Sequence, residues 1–177
     1  MEYLDILNED GTQTGNTAPR EQAHKEGLWH LSVHVWLINE DKQILIQKRS
    51  ENKDSFPGMW DISCGGHVVA GDRSFRTVIK EVFEELGIIL FPADVKFIKS
   101  LKKKSISNNG KFIDHEINDV FIVKCREKDL DKFIIQTEEL SEVKWINLEE
   151  LKTFSTDFDT VFPYYEDEIT LVENYLN

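Results

Sequence analysis

The chain has 177 residues, 31% of them charged, and a formal net charge of −12. That length suits one domain with a sizeable core, and the acidic balance argues against a nucleic-acid polymer as partner, because a phosphate backbone demands a basic stripe. No apolar run approaches the ~18 residues of a membrane helix, the acidic start MEYLDILNED lacks the pattern of a leader, and Cys64 and Cys125 form no disulfide framework, so a cytoplasmic setting is expected.

Tyr3 to Leu7 reads as a short strand, Asp10-Gly11 as a turn, and the polar stretch from Gly15 to Gly27 as a connection into the core. From Leu31 to Ile38, Val33, Val35 and Leu37 alternate with His34 and Trp36, and Asn39 to Lys42 turns into a second strand, Gln43 to Lys48, which predicts a hairpin. A loop, Ser50 to Gly58, precedes a short strand from Trp60 to Cys64. Phe75, Val78, Ile79, Val82 and Leu86 then recur at helical spacing, with Asp72 or Ser74 as expected cap and Gly87 as expected stop. Val95 to Leu101 reads as a strand, Lys102 to Lys111 as a basic turn, and Glu116 to Lys124 as the strand that pairs after it. Val143 to Ile146 is a last strand, Leu148 to Phe154 a short helix that Asn147 can cap, and Ile169, Val172 and Leu176 mark a terminal helix over 164–176. The order predicts one α/β domain over 1–177, with helices packed on a mixed sheet.

Glu81, Glu84 and Glu85 carry most of the functional information. Their i, i+3, i+4 spacing puts three carboxylates on one face near the C-terminal end of the predicted helix, where they repel each other and oppose the helix dipole. Two or three glutamates alone would read as a solvated acidic face. A divalent cation turns both penalties into attraction, and carboxylates are hard ligands suited to Mg²⁺, with Mn²⁺ the alternative. Glu85 is expected to face solvent and metal rather than core.

The segment GGHVVAGDRSFRTVIKEVFEELGI resembles the signature of the Nudix superfamily over residues 66–88. Gly66, Glu81, Val82, Glu84, Glu85, Gly87 and Ile88 match it, while Asp72 stands at its first Glu position and Lys80 at its Arg position. The resemblance implies a Nudix-type α/β/α sandwich with a mixed β-sheet, entered by residues 1–29, whose loop and helix hold magnesium against a diphosphate that water attacks. It makes Glu81 and Glu85 metal ligands and Glu84 a ligand or a supporting group. Gly65 and Gly66 would lie against the substrate phosphates.

LWHLSVHVWLINEDKQILIQKRS, FPGMWDISCGGH and EVKWINLEEL further resemble the branch that includes isopentenyl-diphosphate isomerase and its hydrolase relatives. That isomerase uses a Cys and a Glu on opposite sides of its substrate and holds a metal with three His and two acidic residues. By this resemblance His24, His30, His67, Asp114 and Glu116 form a second metal site, and Arg49 and Lys53 contact the diphosphate. His34 and His115 read as ordinary surface or hydrogen-bonded histidines. Where the isomerase has its catalytic Cys this chain has Gly65, and Cys64, one residue earlier, should face the opposite side of a strand as a small buried residue. Glu81 stands where the isomerase carries a phosphate-contacting basic residue, as in the hydrolases.

The leading expectation is therefore Mg²⁺-dependent hydrolysis of a small-molecule diphosphate, with Glu116 as general base and Glu81 its alternative. Phe56, Trp60, Phe162 and Tyr164 are candidates to line the pocket. An isomerase, or a non-catalytic ligand-binding module, is the competing class. The sequence leaves the substrate open, and the oligomeric state with it, a homodimer included.

Overall fold

The computed structural model describes residues 2–53, 56–127, 130–154 and 165–177. In chain order its elements are β1 Tyr3–Leu7, β2 Gln13–Pro19, α1 Arg20–Glu26, β3 His30–Ile38, β4 Ile44–Arg49, β5 Trp60–Asp61, β6 Cys64–His67, α2 Ser74–Leu86, β7 Val95–Ser107, β8 Phe112–Lys124, β9 Leu140–Ile146, α3 Leu148–Phe154 and α4 Glu166–Leu176. β1 and β2 form a small antiparallel pair; the main sheet, seven strands among the described residues, has the order β5-β4-β3-β8-β7, with β6 also on β3 and β9 on β4. β3 and β8 run parallel and the other pairs antiparallel, so the sheet is mixed.

β3 is buried on both faces, and its near-continuous apolar run follows from that. Val33, Val35 and Leu37 pack with Val78, Val82 and Leu86 of α2, whereas Trp36 and Ile38 pack with Leu151 of α3 and Ile169 and Val172 of α4. Helices on both faces of a mixed sheet are the expected α/β/α sandwich. At full burial each such aliphatic side chain contributes roughly 1.5–3 kcal/mol, so α2 is held mainly by its three deepest residues. Among the described residues no helix is long and apolar enough to cross a membrane.

Several expectations are corrected. The connection from Gly15 to Gly27 contains most of β2 and all of α1. The strand expected over Trp60 to Cys64 is two short strands, β5 and β6. The basic turn is largely strand: β7 runs to Ser107, at the edge of the sheet, where charged side chains discourage pairing with other chains. Neither Asp72 nor Ser74 caps α2. Arg73 occupies that position without a side-chain bond, and the Ser74 hydroxyl instead donates to Asp119 at 2.5 Å. Phe75 is 41% exposed, off the buried stripe. Gly87 does end α2, at φ 70°, donating its N–H to Phe83; a Cβ there would also lie 2.7 Å from Ile134 Cβ. Asn147 caps α3 in a reciprocal pair with Glu150, both bonds at 2.8 Å.

β3 is also a fork. Its far end meets β4 at Ile38 and Ile44, while Ser32 to Val35 pair with Cys64 to His67 of β6. β4 and β6 diverge from it, and the cleft described next is lined from both arms.

Candidate active site

A cleft of about 500 Å³ among the described residues is lined by the end of α2, both arms of the fork, and β7 and β8. Glu81, Glu84 and Glu85 all reach it, in unequal environments. Glu85 is only 6% exposed, which corrects the expectation that it faces solvent. It lies against Cys64 and within 3.5 Å of the Gln47 amide, and burial, with the Glu81 charge adding, pushes its carboxyl up to about 8. Glu81 is half-buried and its carboxyl is raised by burial, although Lys80 opposes this. Glu84 stands exposed at the rim. The Lys80 ammonium spans Glu81 at 2.9 Å and Glu84 at 3.1 Å. Asp72 pairs with Arg76 at 3.8 Å, one turn along α2.

Gly66 sets where Glu81 can go. A Cβ at residue 66 would lie 2.7 Å from Glu81 Cδ and 2.8 Å from its Cγ, so the carboxylate occupies the space that a side chain would fill. Gly66→Ala is therefore expected to displace a flexible carboxylate without disturbing the core. The melting temperature should stay within about 2 °C while kcat falls ~10–100-fold, the scale on which an ångström of misplacement is felt. A variant with the parent's kcat would show that the position of Glu81 is unimportant.

The histidine cluster expected from resemblance is assembled. His24 comes from α1 and His30 from the start of β3. Glu116 lies directly beside His30 in the parallel β3–β8 register, Asp114 two residues earlier shares its face, and His67 pairs with Ser32 from β6. Ligand atoms of His24, His30, His67 and Asp114 all lie within 4.8 Å of one another. Glu116 Oε1 is 3.6 Å from His30 Nε2 and 3.4 Å from His67 Nε2. His24 and His30 each turn Nδ1 to a backbone carbonyl, of Arg20 and Leu28, at 2.8 Å. A carbonyl only accepts, so Nδ1 carries the hydrogen and Nε2 faces the cluster, the arrangement metal-ligating histidines adopt.

The donor set fits a cation. His30 Nε2 and Asp114 Oδ1 are buried without a hydrogen bond, and the separations of 3.4 to 3.6 Å between rings and carboxylates exceed those of good hydrogen bonds. Mutual spacings of this size suit ligands around one ion at ~2.0–2.2 Å. Burial drives His67 well toward the neutral form, which leaves its ring nitrogen able to ligate. Burial alone would raise Glu116, but His30, its neighbour across the parallel register, outweighs it and holds the carboxyl far below the usual range.

Arg49 and Lys53 line the cleft, each paired with a carboxylate. Arg49 donates to Asp61 at 2.9 Å, and Lys53 is bonded to Glu139. Phe56 and Gly65 line it too. Trp60 does not: it packs against the α4-side core with the Lys144 ammonium 4.0 Å above its ring. Phe162 and Tyr164 lie outside the described residues. Lys103, His34 and Tyr165 also stand in the cleft wall; Lys103 and Tyr165 fall in the segments Lys102 to Lys111 and Thr153 to Tyr165 that the sequence offers for specificity, but none of the three is singled out there as a site residue. Alternation along β7 could have found Lys103; the other two meet across the chain and leave no local signal.

A family model described as NUDIX domain matches residues 28–165. "Nudix hydrolase 3" of Arabidopsis thaliana is 40% identical over 167 residues, covering 93% of this chain and 22% of that protein, so the chain spans about a fifth of that relative's length. An uncharacterized Nudix hydrolase of Listeria monocytogenes is 33% identical over 165 residues, 93% of this chain and 90% of that one. An isopentenyl-diphosphate Delta-isomerase of Shigella boydii is 28% identical over 148 residues, 83% of this chain and 78% of the other. Among solved structures, DR0079 of Deinococcus radiodurans has a TM-score of 0.72 at 22% identity over 98% of each chain, which speaks to the fold alone.

Proposed function

The chain belongs to the Nudix family of hydrolases, and we propose that within it the protein is a Mg²⁺-dependent enzyme that cleaves a phosphoanhydride bond in a small organic diphosphate. The observation that carries this reading is the convergence of Glu81 and Glu85 with His67, Asp114 and Glu116, the cleft-lining part of the histidine cluster, on one polar cleft that Gly65, not a thiol, lines. Glu81 and Glu85, with Glu84 at the rim, would hold Mg²⁺; His24, His30, His67, Asp114 and Glu116 would hold a second divalent ion, Mn²⁺ or Zn²⁺ suiting mixed imidazole and carboxylate ligands. Such ions neutralise phosphate oxygens and lower the pKa of a coordinated water. Glu81 is the better proton acceptor of the two candidates. Its carboxyl is raised, toward the operating pH, whereas Glu116 is occupied by His30 and His67 and holds a proton weakly. Arg49 and Lys53 would exchange part of their bonding to Asp61 and Glu139 for phosphate oxygens.

One observation favours a second reading. Three histidines and two carboxylates converge as the resemblance to the isomerase implies. The thiol which that chemistry needs is misplaced, however: Cys64 is fully buried among Val33, Val78 and Val82, where burial and the Glu85 charge push its pKa well up. Cys64→Ala is expected to leave turnover within about threefold of the parent, measured with a stability control. Loss of activity in a folded variant would favour the isomerase.

The direct test is a Mg²⁺-dependent screen of nucleotide sugars, dinucleotides, thiamine diphosphate and isopentenyl diphosphate, with separate detection of phosphate-bearing products and of double-bond migration. Hydrolysis that disappears with chelator is expected. Dimethylallyl diphosphate formed without phosphate release would replace the hydrolase reading.

A further inference from the structure

Beyond the histidine cluster, along β3, lies a second polar group that the hydrolytic step does not use. His34 is four residues from His30, so ~13 Å along the strand, on the face turned to α4. Its Nδ1 lies 2.7 Å from Oε1 of Glu168, and Oε2 of Glu168 accepts the Trp36 indole N–H at 2.9 Å. Glu168 is 2% exposed and Trp36 1%. A buried carboxylate in this position fixes both the ring and its tautomer: Nδ1 carries the hydrogen of that bond. Among the described residues Nδ1 donates to Glu168, and the Asn118 amide nitrogen, itself a donor, is only a neighbour at 3.5 Å.

The other edge of the ring is uncovered by a glycine. Gly65 is the β6 partner of His34, and a Cβ built on it would lie 3.9 Å from His34 Cδ2, the carbon bonded to Nε2. With no side chain there, His34 forms part of the cleft wall. Tyr165 stands beside it, ring centroids 5.6 Å apart, with the Lys103 ammonium 4.0 Å over the tyrosine ring and the tyrosine hydroxyl donating to Asp61 at 2.6 Å. Burial alone would discharge His34, and Lys103 on β7 opposes its charge. The Glu168 carboxylate from α4, supported by Glu116 on β8, outweighs both and raises its pKa, while Asp61 and Arg49 close the same wall. His34 therefore presents a donor to this part of the cleft.

We propose that His34, positioned by Glu168, determines specificity in this part of the cleft: Nε2 donates a hydrogen bond to an acceptor on the organic group attached to the diphosphate, so a diphosphate whose organic group carries such an acceptor is favoured over a hydrocarbon one. This rests on the hydrolase reading. A hydrocarbon group in the same place would bury the His34 donor without an acceptor, and sites built to hydrogen-bond a substrate reject analogues lacking the partner by up to ~10⁴–10⁵.

The test pairs two variants of the full chain assayed with Mg²⁺ on UDP-glucose and ADP-ribose. In His34→Asn the amide keeps the bond to Glu168 but falls short of the cleft; in His34→Gln it reaches as far as Nε2. His34→Asn is expected to raise KM at least tenfold with kcat within threefold, and His34→Gln to recover most of that loss. An unchanged KM in His34→Asn overturns the proposal. A second arm needs no variant: ¹⁵N-edited spectra of the parent should show the His34 Nε2 resonance shift on saturation with methylene-bridged ADP and Mg²⁺, and stay in place with methylene diphosphonate. Equal shifts with both, or none with the nucleotide analogue, also overturn it. Failure of the hydrolase reading would show instead as a parent that turns over nothing, while the spectral arm still reports on His34.

Discussion

Glu85→Gln should reduce Mg²⁺-dependent turnover by ~10³-fold or more, about 4 kcal/mol of transition-state stabilisation, and at the same time raise the melting temperature of the metal-free protein at alkaline pH. Both effects follow from one carboxylate placed where it is costly without a cation. Its pKa of about 8 stands above the ordinary 4.5, so the folded chain holds a proton that the unfolded chain gives up. The sign is fixed by that difference. Below about pH 4.5 both states are protonated and nothing is lost; as pH rises toward about 8 the penalty grows, and above about 8 it is complete, on the order of a few kcal/mol. Gln cannot ionise, so the variant's stability should lack this decline. Mg²⁺ requires the carboxylate, so the parent at pH 7 should release close to one proton per ion bound, falling toward none at pH 9. Calorimetry in two buffers of different ionisation enthalpy reads that number. Turnover of the variant within twofold of the parent would remove Glu85 from the metal site, and metal binding without proton release would contradict its buried, protonated state.

What could be read from the sequence divides by range. The stripe Val78, Val82 and Leu86, the stop at Gly87 and the alternation of β3 are local patterns, and the structure has them because helix and strand periods act within a few residues. Local reading erred where two local rules compete. The run Lys102-Lys103-Lys104 reads as a turn by composition, yet it lies in an edge strand, where exposed lysines alternate with the buried-side Lys103. The burial of Glu85 was missed for a different reason: charge predicts exposure, and only the packing of α2 over Cys64 and Gln47 shows otherwise. The His24, His30 and His67 grouping came from resemblance, since a helix, a strand start and a second strand share no period. His34 and Glu168 are 134 positions apart, and no residue pattern announces such a meeting.

The histidine cluster carries the second large expectation. His30 is fully buried with Nε2 turned toward two carboxylates, and such a group is stable only if protons or a metal ion fill the gap. The two possibilities have opposite signatures. Protonated histidines would make the protein most stable in mild acid and indifferent to chelators. A bound ion instead stabilises by mass action: at a thousandfold excess over its dissociation constant it contributes about 4 kcal/mol, which for a chain of this size corresponds to a melting shift of roughly 10 °C. We expect the protein loaded with Mn²⁺ or Zn²⁺ at neutral pH to lose about that much on chelation. His30→Gln should abolish the shift and lower metal affinity by more than the ~10–100-fold that loss of an orienting partner alone would give. His67→Asn, at a more accessible position, should do the same while sparing the packing around β3. A parent whose melting point ignores chelators, and whose stability instead rises on mild acidification, would make the cluster a set of buried ion pairs. Hydrolysis would then rest on Glu81, Glu84 and Glu85 alone, and the five converging side chains would serve only to tie α1 to β3, β6 and β8.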